Sequence, residues 1–100
     1  MEESPKLRQV RLTVDRALAY WNFQASLKKR GQMSINELAR RCGVAATTVH
    51  RLVRDPENDP KAAAALSLDL ASRLVTVLEC GIDEILEVVE TDKTISDLDK

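Results

Sequence analysis

The sequence predicts an all-α domain of five helices, with room for a short strand at one end. Three observations lead there. One hundred residues is the size of one domain with a modest core. Glycine and proline are scarce, at three residues each, so there are few natural breaks. The apolar residues are mostly Leu, Val, Ile and Ala, and they recur at helical spacing.

Residues 1–6 read as disordered. From Leu7 to Val14 the pattern loosely alternates, with Val10, Leu12 and Val14 against Gln9, Arg11 and Thr13. This fits a short strand or the lead-in to a helix. A strand here needs a partner, and "LEVVE" (86–90) is the one other β-branched candidate, within the chain or between two subunits. Residues 14–30 form the first predicted helix. Val14, Ala17, Leu18, Trp21 and Ala25 make one apolar stripe; Tyr20, Phe23 and Leu27 make a second beside it. A helix this apolar needs cover on two sides, from the core and from a partner subunit or a thicker core. Lys28, Lys29 and Arg30 suit its negative pole, and Gly31 supplies a stop.

"SINE" (34–37) has the form of a capping box, so a second helix starts at Ile35, with Ile35, Leu38, Ala39 and Cys42 inward. Gly43 ends it. A third helix runs from about Ala46 to Val53 with Val49, Leu52 and Val53 inward. "RDPENDPK" (54–61) is a wet loop, and the "AAAAL" after it is a loop wall or a helical turn. Ser67 caps a fourth helix striped by Leu70, Leu74, Val77 and Leu78, and Gly81 closes it. Asp83 opens a fifth, short helix with Ile82, Ile85, Leu86 and Val89 apolar. The expected division is an arm or short strand (1–13), the helical domain (14–89) and an acidic flexible tail (90–100).

Composition narrows the chemistry. Cys42 and Cys80 make no disulfide framework, and with one histidine they offer too few ligands for a protein-only zinc site. Each reads as a small core hydrophobe. No metal, cofactor or small-molecule ligand is expected. Without a signal peptide or a membrane-length apolar run, the expected location is the cytoplasm. The net charge of −1 hides an asymmetry. Residues 1–54 hold eleven Lys/Arg against four acids, or +7; residues 55–100 hold four against twelve, or −8. Either the molecule is dipolar with one side facing a polyanion, or the two halves interleave and neutralise each other. An enzyme is not expected. The histidine has no nucleophile partner at a recognisable spacing, and there is no glycine-rich phosphate loop and no carboxylate pair in an apolar setting.

The segment that carries function is "RRCGVAATTVHRLVR" (40–54). Two short helices meet at Cys42-Gly43-Val44. Small Ala39 allows their close approach, Gly43 permits a left-handed turn, and Val44 and Val49 wedge between them. That is the plan of a helix-turn-helix, whose second helix enters the major groove. With Val49, Leu52 and Val53 inside, residues 47, 50, 51 and 54 point outward.

On these residues, "MSINELARRCGVAATTVHRLV" resembles the helix-turn-helix of Cro and phage-repressor-type regulators, the xenobiotic-response-element-like family. "LDLASRLVTVLECGIDEIL" (68–86) resembles that family's fourth and fifth helices. The resemblance covers about residues 14–89. It implies a five-helix Cro/repressor-like domain that reads double-stranded DNA, acting as a repressor and a homodimer, and associated with the nucleoid when bound. Family positions that touch bases fall on Ala46, Thr47, His50 and Arg51, with Arg54 just beyond. Arg51 can bind guanine O6 and N7; Thr47 can meet a thymine methyl or a phosphate; His50 can donate to a base edge or a phosphate. Lys28, Lys29, Arg30, Arg40, Arg41 and Thr48 are the expected phosphate contacts. This chain departs from the family in two places. Ile35 stands where a Gln is common, and Ala45 stands where a capping Ser is common, a loss of roughly 1 kcal/mol. A protein-interaction module, such as an antitoxin-like partner that keeps the fold and binds DNA weakly or not at all, is the second reading.

Overall fold

The computed structural model describes residues 4–54 and 66–99. Of the loop expected over 54–61, Arg54 ends α3, and the rest, with most of "AAAAL", lies outside the described residues. In chain order the elements are β1 (Lys6–Leu12), α1 (Val14–Leu27), α2 (Ile35–Cys42), α3 (Ala46–Arg54), α4 (Leu68–Leu78), α5 (Ile82–Ile85), β2 (Leu86–Thr94) and a closing 3-10 turn (Ile95–Asp99). The fold is mostly helical, with a two-stranded sheet added.

The core forms where the helical stripes converge. Val14, Leu38, Val49, Leu52, Leu74 and Ile85 are almost wholly shielded from solvent. Each such side chain contributes roughly 1.5–3 kcal/mol by burial. Thr13 is the one buried polar residue among those described. Its N–H donates to the Ile85 carbonyl at 2.8 Å, and its Oγ1 donates to the Glu84 carbonyl at 2.8 Å. These two bonds hold the start of α1 against α5.

Two helix ends differ from expectation. α1 stops at Leu27, three residues early, because Lys29 adopts φ 56° and the Arg30 N–H closes back onto the Ala25 carbonyl at 2.8 Å. Gly31 is not the stop. α4 likewise ends through Glu79 at φ 53°, with the Cys80 N–H bonded to the Val75 carbonyl at 3.1 Å. Gly81 instead precedes α5 as its N-cap. Both ends are Schellman closures built on a residue with a Cβ.

The C-terminal region departs further. α5 is a single turn, and the chain turns extended at Leu86 (φ −135°, ψ 147°). Residues 86–94 then pair antiparallel with β1, Leu12 opposite Leu86 and Val10 opposite Val88. The sheet lies within one chain. Residues 90–99, expected as a flexible tail, are strand and 3-10 turn. Residues 4–6 are likewise placed: the Ile95 N–H donates to the Pro5 carbonyl and the Ser96 N–H to Ser4 Oγ, each at 3.0 Å. The cause is charge and β-branching together. Basic β1 faces acidic β2, with Arg8 near Glu90 at 3.9 Å and Arg16 of α1 bonded to Glu87 at 3.0 Å. At the ribbon, therefore, the basic and acidic halves interleave.

Candidate nucleic-acid interface

The helix-turn-helix is set up from α2. Ser34 Oγ accepts from the Glu37 N–H at 3.0 Å, which starts the helix as the capping box predicts. The reciprocal half of the box is not what Glu37 makes. Its carboxylate grips Arg40 through two bonds and Arg41 Nε at 3.1 Å. These two guanidiniums hold the Glu37 carboxyl down at about 2, from 4.5, chiefly through their hydrogen bonds. Arg41 also stacks over Trp21, 5.6 Å from the ring centroid.

The turn is built as the spacing requires. Gly43 has φ 72°. The Val44 N–H reaches the Ala39 carbonyl at 3.0 Å, and Arg73 Nη1 of α4 donates to the Cys42 carbonyl at 2.8 Å. Ala39 is buried, as are Val49 and Leu52 on α3. At the head of α2, Asn22 of α1 supports the connection: its Nδ2 donates to the Met33 carbonyl at 2.9 Å, and its Oδ1 accepts from the Met33 N–H. Met33 itself is buried.

The outward edge of α3 carries Thr47 and Arg51, both exposed, and half-buried His50. Ala46 turns toward the core and packs against it. It is half-buried there, so part of its surface stays open beside Thr47. Thr48 is half-buried, its N–H on the Ala45 carbonyl at 3.1 Å. The side chain of Arg54 lies outside the described residues. His50 Nε2 is 3.0 Å from Asn36 Oδ1 on α2. A carboxamide oxygen only accepts, so the ring gives its Nε2–H to Asn36, and that donor is taken.

The expected phosphate cations divide into groups. Arg40 and Arg41 share Glu37, though the Arg40 side chain keeps 72% of its surface open. Arg30 lies with Trp21, Ser34 and Arg41 around a shallow hollow beside the head of α2. Lys28 lines a different hollow, with Tyr20, Leu78, Glu79 and Glu84. Lys29 is exposed at the turn after α1. The cysteines stay structural in character: burial raises the Cys42 thiol, and burial followed by the charges of Glu84 and Asp83 raises Cys80.

Asn36 and Arg73 were not among the residues singled out from the sequence. Neither has a periodic signal, because each acts across two helices. Among the described residues no helix is long and apolar enough to cross a membrane.

Comparison with known proteins gives one result. No match is found among the curated proteins or the solved structures. The family model for the Cro/C1-type HTH DNA-binding domain matches residues 22–91, which take in the last six residues of α1, all of α2 to α5 and the first six residues of β2. With the capped α2, the left-handed turn at Gly43 and the outward edge of α3, that match makes this chain a member of the Cro/C1-type helix-turn-helix DNA-binding family.

Proposed function

We propose that the protein is a sequence-specific transcriptional regulator, a repressor that lays α3 in the major groove. The observation that carries this is the two-sidedness of α3: Val49 and Leu52 are fully buried while Thr47 and Arg51 stand in solvent on the opposite edge. Arg51 is the base reader, its planar fork matched to guanine O6 and N7, a contact worth about 1–3 kcal/mol of discrimination. Ala46, Thr47, His50 and Arg54 complete the reading edge. Lys28, Lys29, Arg30, Arg40, Arg41 and Thr48 serve as phosphate contacts that fix register.

One such module reads only a short half-site, so the working form is a homodimer on double-stranded DNA. Two apolar surfaces support that reading. Tyr20, Phe23 and Leu27 on α1 are all more than half exposed, and so are Val10 and Val88 on the ribbon. The site of action is the cytoplasm, at the nucleoid. Its parts are an N-terminal arm with a strand (1–13), the helix-turn-helix domain (14–89) and an acidic C-terminal segment (90–100).

The test is a gel-shift titration after binding-site selection from random DNA. Arg51→Ala is expected to keep the fold and lose the preference for the selected site. An unchanged preference counts against the α3 assignment. Sedimentation that gives a monomer at micromolar concentration, both free and on DNA, removes the dimer.

The hold of Glu37 on Arg40 and Arg41 favours a second reading, an interaction module with weak or no DNA affinity. Salt separates the two. Binding through several phosphates weakens steeply as salt rises. No shift on any DNA at low salt leaves only the second.

A further inference from the structure

Helix α3 does not hold its reading edge alone. The His50 ring leans back onto α2, where Nε2 meets Asn36 Oδ1 at 3.0 Å across fourteen residues of sequence. Asn36 is exposed on the first turn of α2, and His50 is half-buried. Neither belongs to the core that joins the two helices. The bond therefore links two side chains on the outer rim of the helix pair.

The consequence follows from imidazole chemistry. A neutral ring carries one N–H and one lone pair. With the proton on Nε2 and given to Asn36, the lone pair is on Nδ1. Such a ring accepts and does not donate. In the major groove, the groups that donate from base edges are the exocyclic amines, N6 of adenine and N4 of cytosine. Guanine offers only acceptors there, and a neutral ring held this way has nothing to give them.

We propose that Asn36 is a positioning residue for base recognition: by accepting the His50 Nε2–H it fixes the ring so that Nδ1 accepts from the exocyclic amine of one adenine or cytosine. This rests on the reading that α3 enters the major groove. It replaces His50 as a donor with His50 as an acceptor, and it gives α2 a part in sequence choice through a residue that does not touch the base. Ile35, the neighbour of Asn36, has no polar atom with which to take that part.

The experiment is a selection from random duplex DNA run in parallel on the wild type, Asn36→Ala, Asn36→Asp and His50→Ala. Aspartate keeps an accepting oxygen. The wild type is expected to enrich a site holding one A·T or C·G pair that His50→Ala relaxes. Asn36→Ala is expected to relax that same pair, with discrimination there falling about tenfold, while affinity for random-sequence DNA stays within about twofold. Asn36→Asp also accepts, but its charge favours the imidazolium, whose Nδ1–H donates, so its preference is expected to move toward guanine. In the free wild type, the ring Hε2 should give a proton resonance that exchanges slowly, and Asn36→Ala should lose it. Circular dichroism checks that each variant folds.

Selection of the same base by Asn36→Ala with undiminished discrimination overturns the inference alone. So does equal loosening at every position, which is what a merely structural role gives, and so does a ring protonated on Nδ1. A wild type that enriches no sequence overturns the DNA reading, and the inference with it.

Discussion

The Arg73 guanidinium donates to the Cys42 carbonyl at 2.8 Å, so α4 holds the C-terminal end of α2 where the helix-turn-helix bends. The same side chain is bonded to Asp69 at 3.0 Å, which aims it. A helix leaves its last carbonyls without partners, and this one is met by a charged donor from another helix. Arg73→Met keeps most of the stem and removes the donor. It is expected to cost about 1–2 kcal/mol in urea unfolding, and to weaken specific DNA binding more than random-sequence binding by loosening α2 against α3. Unchanged stability would mean that water replaces the guanidinium without loss.

Gly43 is constrained from two sides. Its φ of 72° disfavours any Cβ, and a Cβ built there lies 3.1 Å from Arg73 Nη1. Gly43→Ala is expected to destabilise by roughly 1–2 kcal/mol. The double variant with Arg73→Met is expected to cost less than the sum of the two singles, because removing the guanidinium clears the space. A double-mutant cycle on thermal unfolding measures this; strict additivity would show that the backbone alone sets the cost.

Glu37 links stability to pH. Its folded value, about 2, lies below the usual 4.5, so the folded state favours the charged carboxylate. That contribution is fully present above about pH 4.5 and is lost as pH falls toward 2. Glu37→Gln is expected to flatten the acid limb of the stability curve in that window. It also releases Arg40 and Arg41. Random-sequence DNA binding should tighten, and the slope of log affinity against log salt should steepen by about one. An unchanged slope would mean that the two arginines face away from the phosphates.

Much of this was legible in the sequence, and the limits have physical causes. The inward stripes of α1 to α4 follow from spacing, and Val14, Leu38, Leu52 and Leu74 are buried as that spacing requires. Ser34 and Ser67 start helices because a hydroxyl can accept an orphan N–H at a fixed offset; Ser67 Oγ accepts from Leu70 at 3.0 Å. Residues 82–89 fit two periods at once. Ile82, Ile85, Leu86 and Val89 suit a helix, while Leu86 and Val88 suit a strand, and only the presence of β1 alongside decides for the strand. The helix ends at Lys29 and Glu79 were hidden because neither residue is the glycine that usually marks a left-handed helix end. On the candidate interface, exposure of Thr47 and Arg51 came from helical geometry. The partial burial of Ala46 and the tie from Asn36 to His50 are tertiary facts, and no local pattern encodes them.

Glu79 offers a stabilising change. Its φ of 53° suits a residue without a Cβ. Glu79→Gly is expected to raise stability by about 0.5–1 kcal/mol, or about 3–5 °C in Tm. It also removes one acid from the dense run after residue 78. Calorimetry checks the first effect. A lower Tm would show that Glu79 makes a favourable contact worth more than the relief of its backbone.

The pairing of β1 with β2 brings Leu12 against Leu86, and this sets an order of events on the ribosome. At synthesis rates of roughly 5–20 residues per second, β1 waits on the order of ten seconds for the strand it needs. Throughout that interval its backbone groups and Val10 stand open to the β1 of every neighbouring nascent chain. Lys6, Arg8 and Arg11 put three positive charges on β1. Their like charges repel a second β1 and leave acidic β2 as the favoured mate. The basic strand guards the chain before it helps to fold it.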